Sequence, residues 1–251
     1  MARRPLVAGN WKMHGSRAEN SALLDALLHG LETDSPSDVL VCPPFVYLFE
    51  AARQLKSTQI ALGAQSLCAE PIGAFTGEVS AAMLKDVGCR FALVGHSERR
   101  ALYKEDDALV ARKFVAAQSQ GITPILCVGE SLEEREQQKT FAVVARQLSA
   151  VLDVTGPATF ATAVVAYEPV WAIGTGKNAT AEQAQEVHAF IRAELAKRDA
   201  RIAGAVRILY GGSVKAANAS EIFAMPDVDG GLVGGASLKA EEFLKICAAA
   251  R

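Results

Sequence analysis

The sequence predicts an α/β protein, a closed parallel (β/α)8 barrel forming a single domain over residues 1–251. Three observations predict it. Short apolar runs without clean alternation recur along the chain, as strands buried on both faces require. Longer amphipathic segments separate them, giving eight strand–helix pairs. No linker or low-complexity stretch divides the 251 residues, a length that suits one such barrel. A doubly wound open sheet is the competing architecture, and the pattern favours the barrel.

The elements follow in order. Leu6–Gly9 is the first strand, behind the basic lead-in Met1-Ala2-Arg3-Arg4-Pro5. Arg17–Leu28 is a helix, with Leu23, Leu24, Leu27 and Leu28 along one face. Val39–Cys42 and Ile60–Ala64 are the next strands. The connection Gln65–Val79 is irregular and long for a compact domain, which marks it for a special role. It carries Leu67, Ile72 and Phe75, costly to leave in water. A short helix at Ser80–Lys85 leads to the strand Phe91–Gly95. Asp106–Gln120 opens with two acids and stops at Gly121, matching the helix dipole and a glycine C-cap. Ile125–Val128 precedes a long helix, Leu132–Leu152. Ala163–Tyr167 precedes Thr180–Arg198, where Thr180 and Gln183 are spaced as a capping box. Val206–Tyr210 with Asn218–Phe223, and Gly231–Val233 with Ala240–Ala249, complete the pattern.

Composition excludes several classes. Charged residues make up 22% and the net charge is −2, so no basic excess exists to neutralise a nucleic-acid backbone. No apolar stretch approaches the roughly 20 residues of a membrane span. The basic start is not followed by a long apolar segment, so no secretory signal is expected. Cys42, Cys68, Cys89, Cys127 and Cys247 are odd in number, widely spaced and without a C-x-x-C pair. Free thiols and a cytoplasmic location are expected. His14, His29, His96 and His188 form no ligand cluster, so no metal is expected.

Reactive groups of a parallel barrel gather at the carboxyl ends of its strands. Candidates fall there repeatedly: Asn10-Trp11-Lys12, His96-Ser97-Glu98-Arg99-Arg100, Cys127-Val128-Gly129-Glu130, Glu168, Gly211-Gly212-Ser213 and Gly234-Gly235. Singly, each has a plainer reading. Lys12 reads also as surface charge, His96 as a satisfied core histidine, and Cys127 as buried apolar filler. Glu168 is a lone carboxylate at a strand tip, stiffened by Pro169 and followed by a glycine-bounded segment holding Trp171. That is a base beside something built to move. The glycines after the last two strands suit close approach of backbone N–H groups to a phosphate. Gly174-Thr175-Gly176-Lys177-Asn178-Ala179 imitates a dinucleotide fingerprint, but Pro169–Ile173 separates it from the strand end, and no strand-end acid follows. A P-loop fails too, because Trp171 and Asn178 occupy positions that require Gly and Ser or Thr.

Together these pieces resemble the triosephosphate isomerase family over nearly the whole length, from Gly9-Asn10-Trp11-Lys12-Met13 to Gly234-Gly235-Ala236-Ser237-Leu238. Val94–Arg100, Ala166–Lys177 and Tyr210–Val214 are the most specific segments. The resemblance implies a TIM barrel that interconverts dihydroxyacetone phosphate and D-glyceraldehyde 3-phosphate without a cofactor, in glycolysis and gluconeogenesis. It implies that Glu168 moves the proton and that neutral His96 is the electrophile, roles for which this family is itself the standard example. A helix start after His96 would keep the ring neutral. Lys12 and Asn10 are implied at the substrate oxygens, with Glu98 on the lysine. Gly174, Ser213, Gly234 and Gly235 are implied at the phosphate. Ile173 and Leu232 press on the carboxylate, Cys127 supports it, and Pro169–Ala179 is the lid. The resemblance also implies a homodimer, with His14, Gln65, Thr76 and Arg99 at its interface and Thr76 reaching toward the partner's site. His14 stands where the family more often has asparagine, and reads either as packing or as a pH-sensitive contact. Asn178 falls at a variable hinge position of the lid. Two other readings compete: a different phosphate-binding barrel enzyme, such as a sugar-phosphate epimerase or a lyase of tryptophan biosynthesis, and a catalytically silent barrel used for binding.

Overall fold

The computed structural model describes residues 3–173 and 179–251, and its eight parallel strands close into a barrel in sequence order. They are β1 (Leu6–Asn10), β2 (Asp38–Cys42), β3 (Ile60–Ala64), β4 (Phe91–Val94), β5 (Thr123–Val128), β6 (Val164–Tyr167), β7 (Arg207–Tyr210) and β8 (Gly230–Val233). Closure is made where β1 pairs with β8, Leu6 opposite Gly230. The open-sheet alternative is therefore excluded. The helices are α1 (Arg17–Gly30), α2 (Leu48–Gln54), α3 (Ala81–Asp86), α4 (Ser97–Leu102), α5 (Asp107–Ser119), α6 (Leu132–Glu136), α7 (Thr140–Thr155), α8 (Ala181–Arg198), α9 (Ala200–Ala205), α10 (Ala216–Phe223) and α11 (Ala240–Ala249). Among the described residues no helix is long and apolar enough to cross a membrane.

Local chemistry explains most boundaries. Ser80 and Asp106 cap α3 and α5 by accepting from the backbone of Met83 and Leu109. Thr180 and Gln183 form the capping box of α8. One prediction needs correction. The stretch 132–152 is two helices, because Gln138 adopts a left-handed φ of 57° between α6 and α7. Ser131 and Glu134 make a capping box at α6, so its start was visible while its early end was not. The short helices α2 and α9 carry too few turns for periodicity to reveal them.

Two apolar layers result from the strand period of two. Leu6, Ala8, Leu40, Leu93, Ile125, Cys127, Ala166 and Leu209 belong to the cluster that fills the barrel. Their neighbours Val7, Val41, Val94, Leu126, Val165, Tyr167 and Ile208 pack outward with the helices. The inward parity of Ala8, Ala166, Leu209 and Leu232 reaches Asn10 at the end of β1 and Glu168, Gly211 and Gly234 one step past the ends of their strands. The alternation that builds the core thereby aims these groups at the mouth of the barrel.

Candidate active site

A cavity of about 260 Å³ opens at the carboxyl ends of the strands. Asn10, Lys12, His96, Glu168, Ile173, Ser213, Leu232, Gly234 and Gly235 all line it. The structure thus brings together predicted residues from five separate strand ends. Gly174 lies outside the described residues, as do Lys177 and Asn178.

Glu168 is 2% exposed, which would be costly for a lone carboxylate. It is not alone. Ser97 donates its backbone N–H to Oε2 at 2.9 Å and its hydroxyl to Oε1 at 3.0 Å. His96 Nε2 lies 3.0 Å from Oε1. Burial alone would push this carboxyl up, but His96 and the two Ser97 donors reverse it and hold Glu168 below its ordinary value. Ser97 was quoted in the sequence without a role. Its signal was available: it is the first residue of α4, where backbone N–H groups have no helical partner.

Two glycines make room for Glu168, one for its backbone and one for its side chain. A Cβ on Gly129 would sit 1.8 Å from the Glu168 carbonyl oxygen, and one on Gly211 2.9 Å from its Cγ. Both positions exclude any side chain unless the base moves.

His96 is the N-cap of α4, and its Nδ1 accepts from the Glu98 backbone N–H at 3.3 Å. That bond uses the Nδ1 lone pair, so the ring proton resides on Nε2, facing the cavity. Burial disfavours the imidazolium, yet the Glu168 carboxylate outweighs it and raises the pKa of His96 in this resting arrangement. The helix start expected to keep the ring neutral is present, but it competes with the base itself. Asn10 lies 3.3 Å from Nε2.

Lys12 has a left-handed φ of 51°, a conformation costing about 1–2 kcal/mol in a residue with a Cβ. Its surroundings hold it there. Asn10 Oδ1 accepts from its backbone N–H at 3.1 Å, and Gln65 donates to its carbonyl at 2.8 Å. Nζ then reaches Glu98 at 2.5 Å. Gln65 also donates to the Cys42 carbonyl, so its amide is used within its own chain. Cys127 is fully buried beside Glu168, and burial pushes its thiol well up, which suits a neutral filler.

Trp171 begins the segment that leads away from the base, in a 3-10 turn over Val170–Ala172. Its indole donates to Glu130 at 2.9 Å, and the Arg135 guanidinium lies over the ring at 4.5 Å. Glu130 is fully buried and also accepts from the Tyr167 hydroxyl at 3.1 Å. One carboxylate therefore ties the residue before the base to the start of the expected lid. Ser213 adds a second tie, donating its hydroxyl to the Ala172 carbonyl at 3.0 Å. Sequence reasoning noted Glu130 at a strand end but could not give it partners that lie 37 and 41 positions away.

The predicted interface residues do not enter the cavity. His14 and Thr76 are exposed, and Arg99 pairs with Glu105 at 2.5 Å. In the connection 65–79, Leu67 is 1% exposed and belongs to the chain's own core, whereas Ile72 and Phe75 are 85% and 47% exposed. Two of the three apolar residues of that loop are therefore left at the surface of the chain. Val214, Lys215 and Ala236 line the cavity without having been singled out.

The Ser97 contacts set a pH test. Replacing Ser97 with alanine removes one donor to the ionised carboxylate, so the pKa of Glu168 rises. The acid limb of kcat/KM should move to higher pH, while the contribution of substrate ionisation stays common to both enzymes. Superimposable profiles would mean that Ser97 Oγ does not tune the base.

A family model described as "Triosephosphate isomerase" matches residues 5–250. A relative from Thiobacillus denitrificans named triosephosphate isomerase is 62% identical over 251 residues, covering 99% of each chain. Relatives of the same name from Nitrosococcus oceani and Nitrosomonas eutropha are 58% and 54% identical, covering 99% and 100% of each chain respectively.

Proposed function

The chain belongs to the triosephosphate isomerase family, and from that premise we propose that Glu168, His96 and Lys12 are the residues with which it interconverts dihydroxyacetone phosphate and D-glyceraldehyde 3-phosphate. It is an isomerase, moving hydrogen between adjacent carbons of one substrate. The observation that carries the assignment is the meeting of an ionised, buried carboxylate, an imidazole with its proton on Nε2, and a cation in one cavity that Gly211, Gly212, Gly234 and Gly235 also line.

The steps follow from charge. Glu168 leaves Ser97 and takes a proton from the carbon next to the carbonyl. Negative charge then develops on the substrate oxygen. His96 Nε2–H and Lys12 stabilise this enediolate as fixed donors that need no reorganisation. Glu168 returns the proton to the neighbouring carbon. Departure of the carboxylate also removes the main influence raising the pKa of His96; Glu98 still raises it, while burial, Lys12 and the amide on Nδ1 favour the neutral ring. The carbonyl itself is the electron sink, so no cofactor enters. Gly234, Gly235 and the Ser213 backbone are proposed to hold the phosphate, with Gly174. Pro169–Ala179 is proposed to close over the site and exclude water, tethered at its start by Trp171 on Glu130. Ile173 and Leu232 then press on the carboxylate. The test is isomerisation of D-glyceraldehyde 3-phosphate by the purified chain without added metal or cofactor. Absence of turnover in a folded protein that still binds the substrate would favour the silent-barrel reading.

We further propose that the chain is one domain that works as a cytoplasmic homodimer. All five cysteines are free and buried, in keeping with a reducing compartment. Support for the dimer comes from the connections after the first four strands. Met13, Val46, Phe49, Ile72, Phe75, Leu102 and Tyr103 are all exposed there. A partner would bury them, at about 1.5–3 kcal/mol for each large side chain fully covered. Sedimentation should give a dimer, and Ile72→Asp with Phe75→Asp should give a monomer. A monomeric wild type would end the proposal. If His14 is a pH-sensitive contact, dissociation should change between about pH 5.5 and 8 and lose that change in His14→Asn. A flat profile leaves His14 as packing.

A further inference from the structure

We propose that Lys215 is the residue that recruits the substrate's phosphate, drawing the dianion into the glycine-lined end of the cavity. The inference rests on the isomerase reading and adds to it a residue that none of the roles above contains.

Lys215 lines the cavity together with Ser213, Gly234 and Gly235, and is exposed to solvent. Its backbone is fixed. Lys215 sits at the N-cap position of α10, where its N–H donates to Asn218 Oδ1 at 2.8 Å. Its ammonium enters none of the ion pairs found among the described residues. The other charges of the cavity are already engaged: Lys12 with Glu98 at 2.5 Å, Glu168 with His96 at 3.0 Å. A carboxylate does lie near, on α11. It is Glu242, which accepts from the Ala216 N–H at 2.8 Å, so its charge is turned to the start of α10. Lys215 is therefore the lining cation, among the described residues, whose charge is left for an incoming anion.

The whole molecule supplies no such attraction. Its net charge is −2, and the substrate is itself anionic. A local cation at the mouth is then the means by which the field can favour encounter. Lysine suits this role. Its compact charge on a flexible stem captures an anion without demanding one geometry. Field effects of this kind weaken with salt, because the screening length falls from about 30 Å at 0.01 M to about 8 Å at 0.15 M.

The experiment compares the full-length wild type with Lys215→Gln and Lys215→Glu. Lys56→Glu serves as a control, making the same net charge change just ahead of β3, at the opposite end of the barrel. At an ionic strength of about 0.02 M, kcat/KM should fall roughly 3-fold in Lys215→Gln and roughly 10-fold in Lys215→Glu. Both should return to within about 2-fold of wild type at about 0.5 M. The loss should fall on KM, and the inhibition constant of inorganic phosphate should weaken in parallel. Unchanged values at low ionic strength would overturn the proposal. So would a loss that persists in high salt, which marks a short-range structural role, or an equal loss in Lys56→Glu, which marks net charge alone. A wild type without turnover would instead defeat the isomerase reading, and phosphate binding would still test Lys215.

Discussion

Glu168→Gln is expected to lose at least the roughly 10²–10⁴-fold that a positioned general base contributes, about 3–5 kcal/mol of barrier. The substitution keeps the size of the side chain and can still accept from the Ser97 N–H, so the resting geometry should survive. What it loses is the capacity to take a proton. The loss should therefore appear in kcat, with modest change in KM, because the amide still fills the space beside Gly211. A coupled assay with D-glyceraldehyde 3-phosphate reads it directly. Near-normal turnover in Glu168→Gln would remove the residue from the chemistry.

Lys12→Ala is expected to weaken binding and turnover together, by about 10²–10³-fold in kcat/KM, the loss typical of one fixed donor to a developing oxyanion. Two effects add. The cation that faces the substrate oxygens disappears. Glu98 also loses its partner at 2.5 Å and remains with its Oε2 3.7 Å from His96 Nδ1. An uncompensated carboxylate there favours imidazolium and repels an anionic substrate. Glu98→Gln in the Lys12→Ala background should therefore recover part of the loss, which a purely packing role for Lys12 would not allow. Unchanged kinetics in Lys12→Ala would take this residue out of the site.

Much of this site could be read from residues in one dimension. Strand parity ran inward through Ala8, Ala166 and Leu232, and so it aimed Asn10, Glu168 and Gly234 at the barrel mouth. Caps behaved likewise. Thr180 with Gln183 and Asp106 before α5 are short-range hydrogen bonds, set by spacing alone. Less legible was the end of α6. The left-handed turn at Gln138 carries no glycine to announce it.

Architecture, family and the identity of the residues that meet at the mouth were legible in one dimension, because periodicity and local motifs are encoded within a few positions of each other. Only the tertiary structure decided how those residues are held. Ser97 grips a carboxylate 71 positions away, Gln65 braces a strained Lys12 across 53, and Glu130 joins Tyr167 to Trp171. It also decided that Leu67 belongs to the core while Ile72 does not, and that Lys215 faces the cavity unpaired. The physical reason is the same in each case. A charge or a strained backbone in a buried place is stable only through partners brought in from other strands, and closure of the barrel is what brings them within hydrogen-bonding distance.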